Sequence, residues 1–121
     1  MKAQPMYPRS RNVIDARALT PEAVAEAVAP VMERWDVARA WLYGSVARGD
    51  QSPSSDVDLI YEPMPTARIG LNVWDLEQEL EEALGVAVDL HGVPDPRRAN
   101  PAFIRNYERD KVMVYERTSG R

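Results

Sequence analysis

The chain has 121 residues, room for one domain, and its 45% hydrophobic and 28% charged residues are ordinary for a globular fold, which argues against a disordered or fibrous chain. A net charge of -4 and a pI of about 5.0 argue against an extensive nucleic-acid surface, because strong non-specific binders neutralise many phosphates with Lys and Arg. The absence of cysteine excludes disulfides, thiolate metal sites and a cysteine nucleophile.

Residues 1–18, with Pro5, Pro8, Arg9, Arg11 and Arg17, read as an arm: a loosely ordered terminus or a docking segment for a partner. Neither a signal-peptide core nor an apolar run of membrane-spanning length is expected, so the cytoplasm is the expected setting. Thr20-Pro21-Glu22 opens a helix: a hydroxyl cap, a proline at the first position and an acid at the positive end. Val24, Ala27, Val28, Val31 and Trp35 then recur at helical spacing, and Pro30 is expected to kink or end the helix early. Val37 to Tyr43 reads as a strand broken by Gly44-Ser45, followed by a short segment, Val46 to Gly49, and a loop, DQSPSS. Asp56 to Tyr61 is a second strand, ended by Pro63 and Pro65. Gly70 to Leu84 is a helix with Val73, Leu76, Leu80 and Leu84 on one face, stopped by Gly85. Its acids Glu77, Glu79, Glu81 and Glu82 read as a solvated surface. Val86 to Leu90 is a third strand, Gly92 to Arg98 a loop, Asn100 the cap of a short helix through Tyr107, and Val112 to Tyr115 a last strand. Trp35, Trp41 and Trp74 are expected to pack the core. The alternation implies an α/β fold with helices packed on a small mixed sheet.

The chemistry gathers around two short segments. A strand ending at Gly44-Ser45, with a helical turn starting there, points backbone N–H groups and a hydroxyl at one spot, a natural seat for phosphate. Alone, such a turn is more often only a turn. Asp56 and Asp58, two apart on a strand, project from one face, where their like charges repel until a divalent cation lies between them. Mg²⁺ suits that position, since it takes carboxylate oxygens together with substrate phosphates. Asp89 lies in an apolar strand, where a carboxylate is costly unless paired or metal-bound; its plain alternative is a water-exposed strand end. His91 reads as a polar residue at a strand exit, and Tyr43 and Tyr61 as core or rim rather than base-stacking groups.

The run Gly44-Ser45-x-Ala47-Arg48-Gly49, a short loop, then Ser55-Asp56-x-Asp58-Leu59 resembles the signature of the minimal nucleotidyltransferases of the DNA polymerase β superfamily. The likeness extends from about Thr20 to Tyr115, with Asp89 matched by context rather than by a tight motif. It implies a polymerase β-like core over residues 19–121. It also implies a triphosphate, with ATP as donor, held by Gly44 and Ser45. Two Mg²⁺ ions would be coordinated by Asp56 and Asp58. Asp89 would complete the ion nearer the acceptor and take its proton. Arg48 is a candidate phosphate contact whose alternative is a helix-end ion pair.

No room is expected for the acceptor domains of larger superfamily members, so a second protein is expected to supply the acceptor. In the resembling family, small members of this kind pair with HEPN-domain toxins and act as antitoxins that move AMP to a toxin tyrosine. That pairing, a hetero-oligomer, is the leading expectation. The alternatives are an antitoxin that masks its partner without catalysis and a small-molecule nucleotidyltransferase acting on an antibiotic. No residue that reads the base can be named from the sequence.

Overall fold

The computed structural model describes residues 15–118. The arm expected over residues 1–18 therefore lies largely outside the described residues. Its last part forms a 3-10 turn, Ala16–Ala18, that Asp15 caps through a hydrogen bond from the Arg17 N–H.

Helix α1 spans Pro21–Arg34, and the Thr20 side chain accepts a hydrogen bond from the Ala23 N–H at its start. Pro30 does not end it. The burial of Val28, Val31 and Met32 on either side favours continuation, and outweighs the one backbone bond a proline removes, as tertiary packing outweighs local propensity elsewhere. Strand β1 is Val37–Tyr43, and the short helix α2 is Gly44–Arg48. Strand β2 is Val57–Pro63, longer at its far end than the sequence suggests, because β1 carries the pairing on through Arg39↔Glu62 and Val37↔Pro63. After a 3-10 turn at Gly70–Asn72, helix α3 spans Val73–Leu84 and closes at Gly85, whose φ of 78° is open to glycine without strain. Strand β3 is Val88–Gly92, helix α4 Pro101–Asp110 and strand β4 Val112–Glu116.

The four strands form one mixed sheet in the order β3-β2-β1-β4, antiparallel throughout except for the parallel pair β2–β3. A strand's period of two divides the side chains. Leu42, Val57, Leu59, Val88 and Leu90 turn to a core shared with Val24, Val28 and Met32 of α1 and with Leu76, Leu80 and Leu84 of α3. Tyr43, Asp58, Asp89 and His91 hold the alternate positions, on the opposite face. Helix α4 lies beside that face, where Tyr107 and Phe103 meet the ring of Tyr43 edge-on at 5.6 and 5.8 Å and Lys111 Nζ stands 5.7 Å from the Trp41 ring centre.

Two expectations about surfaces change. Trp74, placed in the core by its residue type, is 70% exposed on the first turn of α3, whose buried positions are Leu76, Leu80 and Leu84. The acids of α3 are not all solvated. Glu81 and Glu77, one turn apart, accept hydrogen bonds from the backbone N–H groups of Val88 and Leu90 at 3.0 and 3.2 Å. They cover the free edge of β3. Glu79 holds the Arg34 guanidinium and the Trp35 indole N–H.

Candidate active site

The site forms where β1 ends and β2 and β3 begin. Register brings Tyr43 opposite Asp58 across the antiparallel pair, and Asp58 beside Asp89 across the parallel pair. These alignments follow from burial: Leu42, Leu59 and Leu90 must all face the core, which leaves their neighbours Tyr43, Asp58 and Asp89 on the other side.

The chain leaves β1 through Gly44, at a φ of 78°. An added Cβ there would lie 2.4 Å from Asp58 Oδ2, so the carboxylate sits directly against the turn. Only a residue without a side chain admits both the backbone angle and the approach. Ser45 opens the next turn, and its carbonyl accepts from the N–H groups of Gly49 and Asp50 at 2.8 and 3.1 Å.

Asp58 is half-buried, and among the described residues no cationic side chain pairs with it or with Asp56. Burial foremost, then the charges of Asp89 and Asp56, pushes its carboxyl up to about 6, against weaker opposing effects of His91 and Arg48. Burial and the charges of Asp58 and Asp89 push the Tyr43 hydroxyl up to about 12, which keeps it a neutral donor beside the carboxylates. His91 Nε2 lies 3.0 Å from Asp89 Oδ1, so this histidine is a partner of the third carboxylate rather than merely a polar residue at a strand exit.

The structure therefore brings Asp58, Asp89 and Gly44 together. Asp56 falls one residue before β2, exposed, close enough to act on the charge of Asp58 but outside the strand the sequence assigned it to. Among the described residues no three acidic or imidazole side chains already form a cage for a metal ion. The Asp58 carboxylate against the Gly44 turn, with Asp89 beside it, suits a hard cation that keeps most of its shell for substrate oxygens, as Mg²⁺ does. Arg48 pairs with two acids: Nε is 3.1 Å from Asp50 Oδ2, and Nη1 is 3.0 Å from Asp110 Oδ2. The Asp110 side chain is only 7% exposed, and Arg109, then Arg48, holds its carboxyl below the usual carboxylate range.

Sequence reading overlooked Asp110 and the aromatic pair Phe103 and Tyr107, which stack at 6.2 Å beside Tyr43. A one-turn spacing in an otherwise polar helix was the only local signal for the pair.

A small mixed sheet with paired strand carboxylates at a Gly-Ser turn is the core of a polymerase β-like nucleotidyltransferase. A model of the nucleotidyltransferase domain matches residues 25–117, and the chain belongs to that family. Two proteins of Methanocaldococcus jannaschii, each named as an inferred protein adenylyltransferase, are similar to it. MJ0128 is 33% identical over 82 residues, covering 68% of this chain and 81% of the relative. MJ0435 is 36% identical over 63 residues, covering 52% and 67%. Among solved structures, one described as an inferred minimal nucleotidyltransferase superposes with a TM-score of 0.58 at 30% identity, over 78% of this chain and 96% of that one. A toxin–antitoxin crystal structure with AMP-PNP gives a TM-score of 0.60 at 21% identity, over 77% and 73%, and shares the fold.

Proposed function

We propose that this nucleotidyltransferase moves AMP from ATP to a hydroxyl on a partner protein, the partner being a HEPN-domain toxin that it inactivates as an antitoxin. The observation that carries the chemistry is the Asp58 carboxylate, set against Gly44 and beside Asp89, with no cationic side chain paired to it among the described residues. The names of the M. jannaschii relatives support protein adenylylation, and the shared fold of the toxin–antitoxin structure is consistent with a protein acceptor. A cytoplasmic setting, where ATP and Mg²⁺ are abundant, belongs to the same reading.

In this reading Asp56, Asp58 and Asp89 would hold two Mg²⁺ ions, which would supply charge neutralisation at the α-phosphate. The N–H groups after Gly44 and the Ser45 hydroxyl seat the triphosphate. The acceptor hydroxyl oxygen bonds to the α-phosphorus as the bond to the leaving pyrophosphate breaks, and Asp89 receives the hydroxyl proton. The exposure of Asp89, with His91 Nε2 3.0 Å from its Oδ1, supports this role. Arg48 adds a phosphate contact on exchanging Asp50 for substrate, while Asp110 keeps the guanidinium near the turn.

Co-purification of the protein with its native partner, followed by the mass of that partner before and after ATP and Mg²⁺, tests the reading. A gain of one AMP, absent with Asp56→Asn/Asp58→Asn, is expected. A double variant that neutralises the partner at equal dose would show masking instead. AMP appearing on an added small molecule with the partner unmodified would move the assignment to antibiotic-type acceptors.

A further inference from the structure

The loop between α2 and β2 ends at Asp56, and it is fastened to a segment that lies before the family match. Gln51 sends its amide N–H groups to two backbone carbonyls, Ala16 O at 3.1 Å and Leu19 O at 2.9 Å. The Ala16 N–H answers with a hydrogen bond to Pro53 O at 3.0 Å. Ala16 is fully buried and Leu19 nearly so, both within the main core, so the carbonyls that Gln51 grips are themselves fixed. The loop beyond closes on itself: Ser55 Oγ accepts from the Ser52 N–H at 2.8 Å, and the Ser55 N–H donates to Ser52 O at 3.2 Å. Gln51 and Pro53 are thus held, the 52–55 turn is closed by its own hydrogen bonds, and Asp56 follows at once. The family model begins at residue 25, after the whole of this strap.

We infer that residues 15–19 are a strap locked by Gln51, and that Gln51 is a positioning residue which holds the Asp56 loop where its carboxylate can join Asp58 on a divalent ion. The inference rests on the metal-site reading above. A loop that must present a charged side chain to a cation loses affinity when it samples other positions, because only the competent fraction binds. The two side-chain hydrogen bonds from Gln51, with the Ala16–Pro53 bond beside them, favour that position of the loop over others. The geometry also fixes which way the amide lies: its two donors meet two carbonyls, and the reverse orientation would set oxygen against oxygen.

The test uses the full chain with Gln51→Ala and with Gln51→Glu, which keeps the shape but has no amide donor for the carbonyls. Amide hydrogen exchange in metal-free protein reads the strap directly. The amides of Ala16, Ser52 and Ser55 should exchange at least tenfold faster in both variants, while α3 and the core strands stay as in the wild type. Binding of Mn²⁺ with a non-hydrolysable ATP analogue should weaken at least threefold in both. Unchanged exchange in the loop, or a loosened loop with Mn²⁺ affinity intact, would overturn the inference. A wild type that takes no Mn²⁺ would strike the metal-site reading instead, and the exchange arm would still decide whether the strap exists.

Discussion

Gly44 and Asp58 share a space that only a residue without a side chain leaves open: a Cβ on Gly44 would come within 2.4 Å of Asp58 Oδ2. The contact is to the tip of a charged side chain, so Gly44→Ala displaces the carboxylate rather than the strand. The φ of 78° adds a left-handed penalty of about 1–2 kcal/mol for any residue with a side chain. Gly44→Ala should therefore lower stability by roughly that amount in urea unfolding and cut nucleotide transfer by at least about 100-fold, in line with losing one preorganised electrostatic group. A variant with near-normal turnover would show that Asp58 need not lie against the turn.

That relationship was legible in the sequence, because the residues making it lie in one run of sixteen, Gly44 to Leu59, and strand periodicity fixes which side chains share a face. The core followed from the same rule, as Leu42, Leu59, Leu76 and Leu80 all fall where period two or 3.6 puts them. The remainder depends on pairings that no local pattern encodes. Arg48 meets Asp110 across 62 residues, and Gln51 reaches the Ala16 carbonyl across 35. Glu77 and Glu81 read as surface because a solvated acid and an acid that closes a sheet edge have the same helical spacing; the partner strand tells them apart.

Metal-free protein should carry the mark of Asp58 in its pH profile. The folded carboxyl titrates at about 6, whereas an unfolded aspartate titrates near 3.9. The folded state therefore holds this proton more tightly. The stabilisation from it is complete below about pH 4 and is lost as pH rises through about 6. Half-exposure keeps the effect smaller than the full shift would give. With chelator present, Asp58→Asn should gain stability relative to the wild type as pH rises across that window, measured by denaturant midpoints at several pH values. Parallel profiles would mean that the ionised carboxylate is not strained in the fold. Added Mg²⁺ should narrow the gap above pH 6 by stabilising the wild type alone.

Trp74, at 70% exposure, is the opposite of a core residue. Trp74→Phe should change stability by less than about 0.5 kcal/mol, as surface substitutions do. It should also remove the component of tryptophan fluorescence most readily quenched by acrylamide, leaving the half-buried Trp35 and Trp41. Quenching that is unaltered by the substitution would place the accessible indole elsewhere.

The edge of β3 gives a test of how Asp89 is held. Val88 and Leu90, the residues on either side of it, send their outward N–H groups to Glu81 and Glu77, so the backbone carrying the carboxylate is braced from α3. Both donors belong to buried residues, and freeing them should cost about 1–3 kcal/mol each. In Glu77→Ala/Glu81→Ala the amides of Val88 and Leu90 should exchange faster, and transfer should fall further than lost stability explains, because Asp89 loses its register beside Asp58. Glu77→Gln/Glu81→Gln keeps an acceptor oxygen at each position and removes the charge. Near-normal exchange and activity in that variant would assign the brace to hydrogen bonding, whereas equal losses in both double variants would assign it to charge.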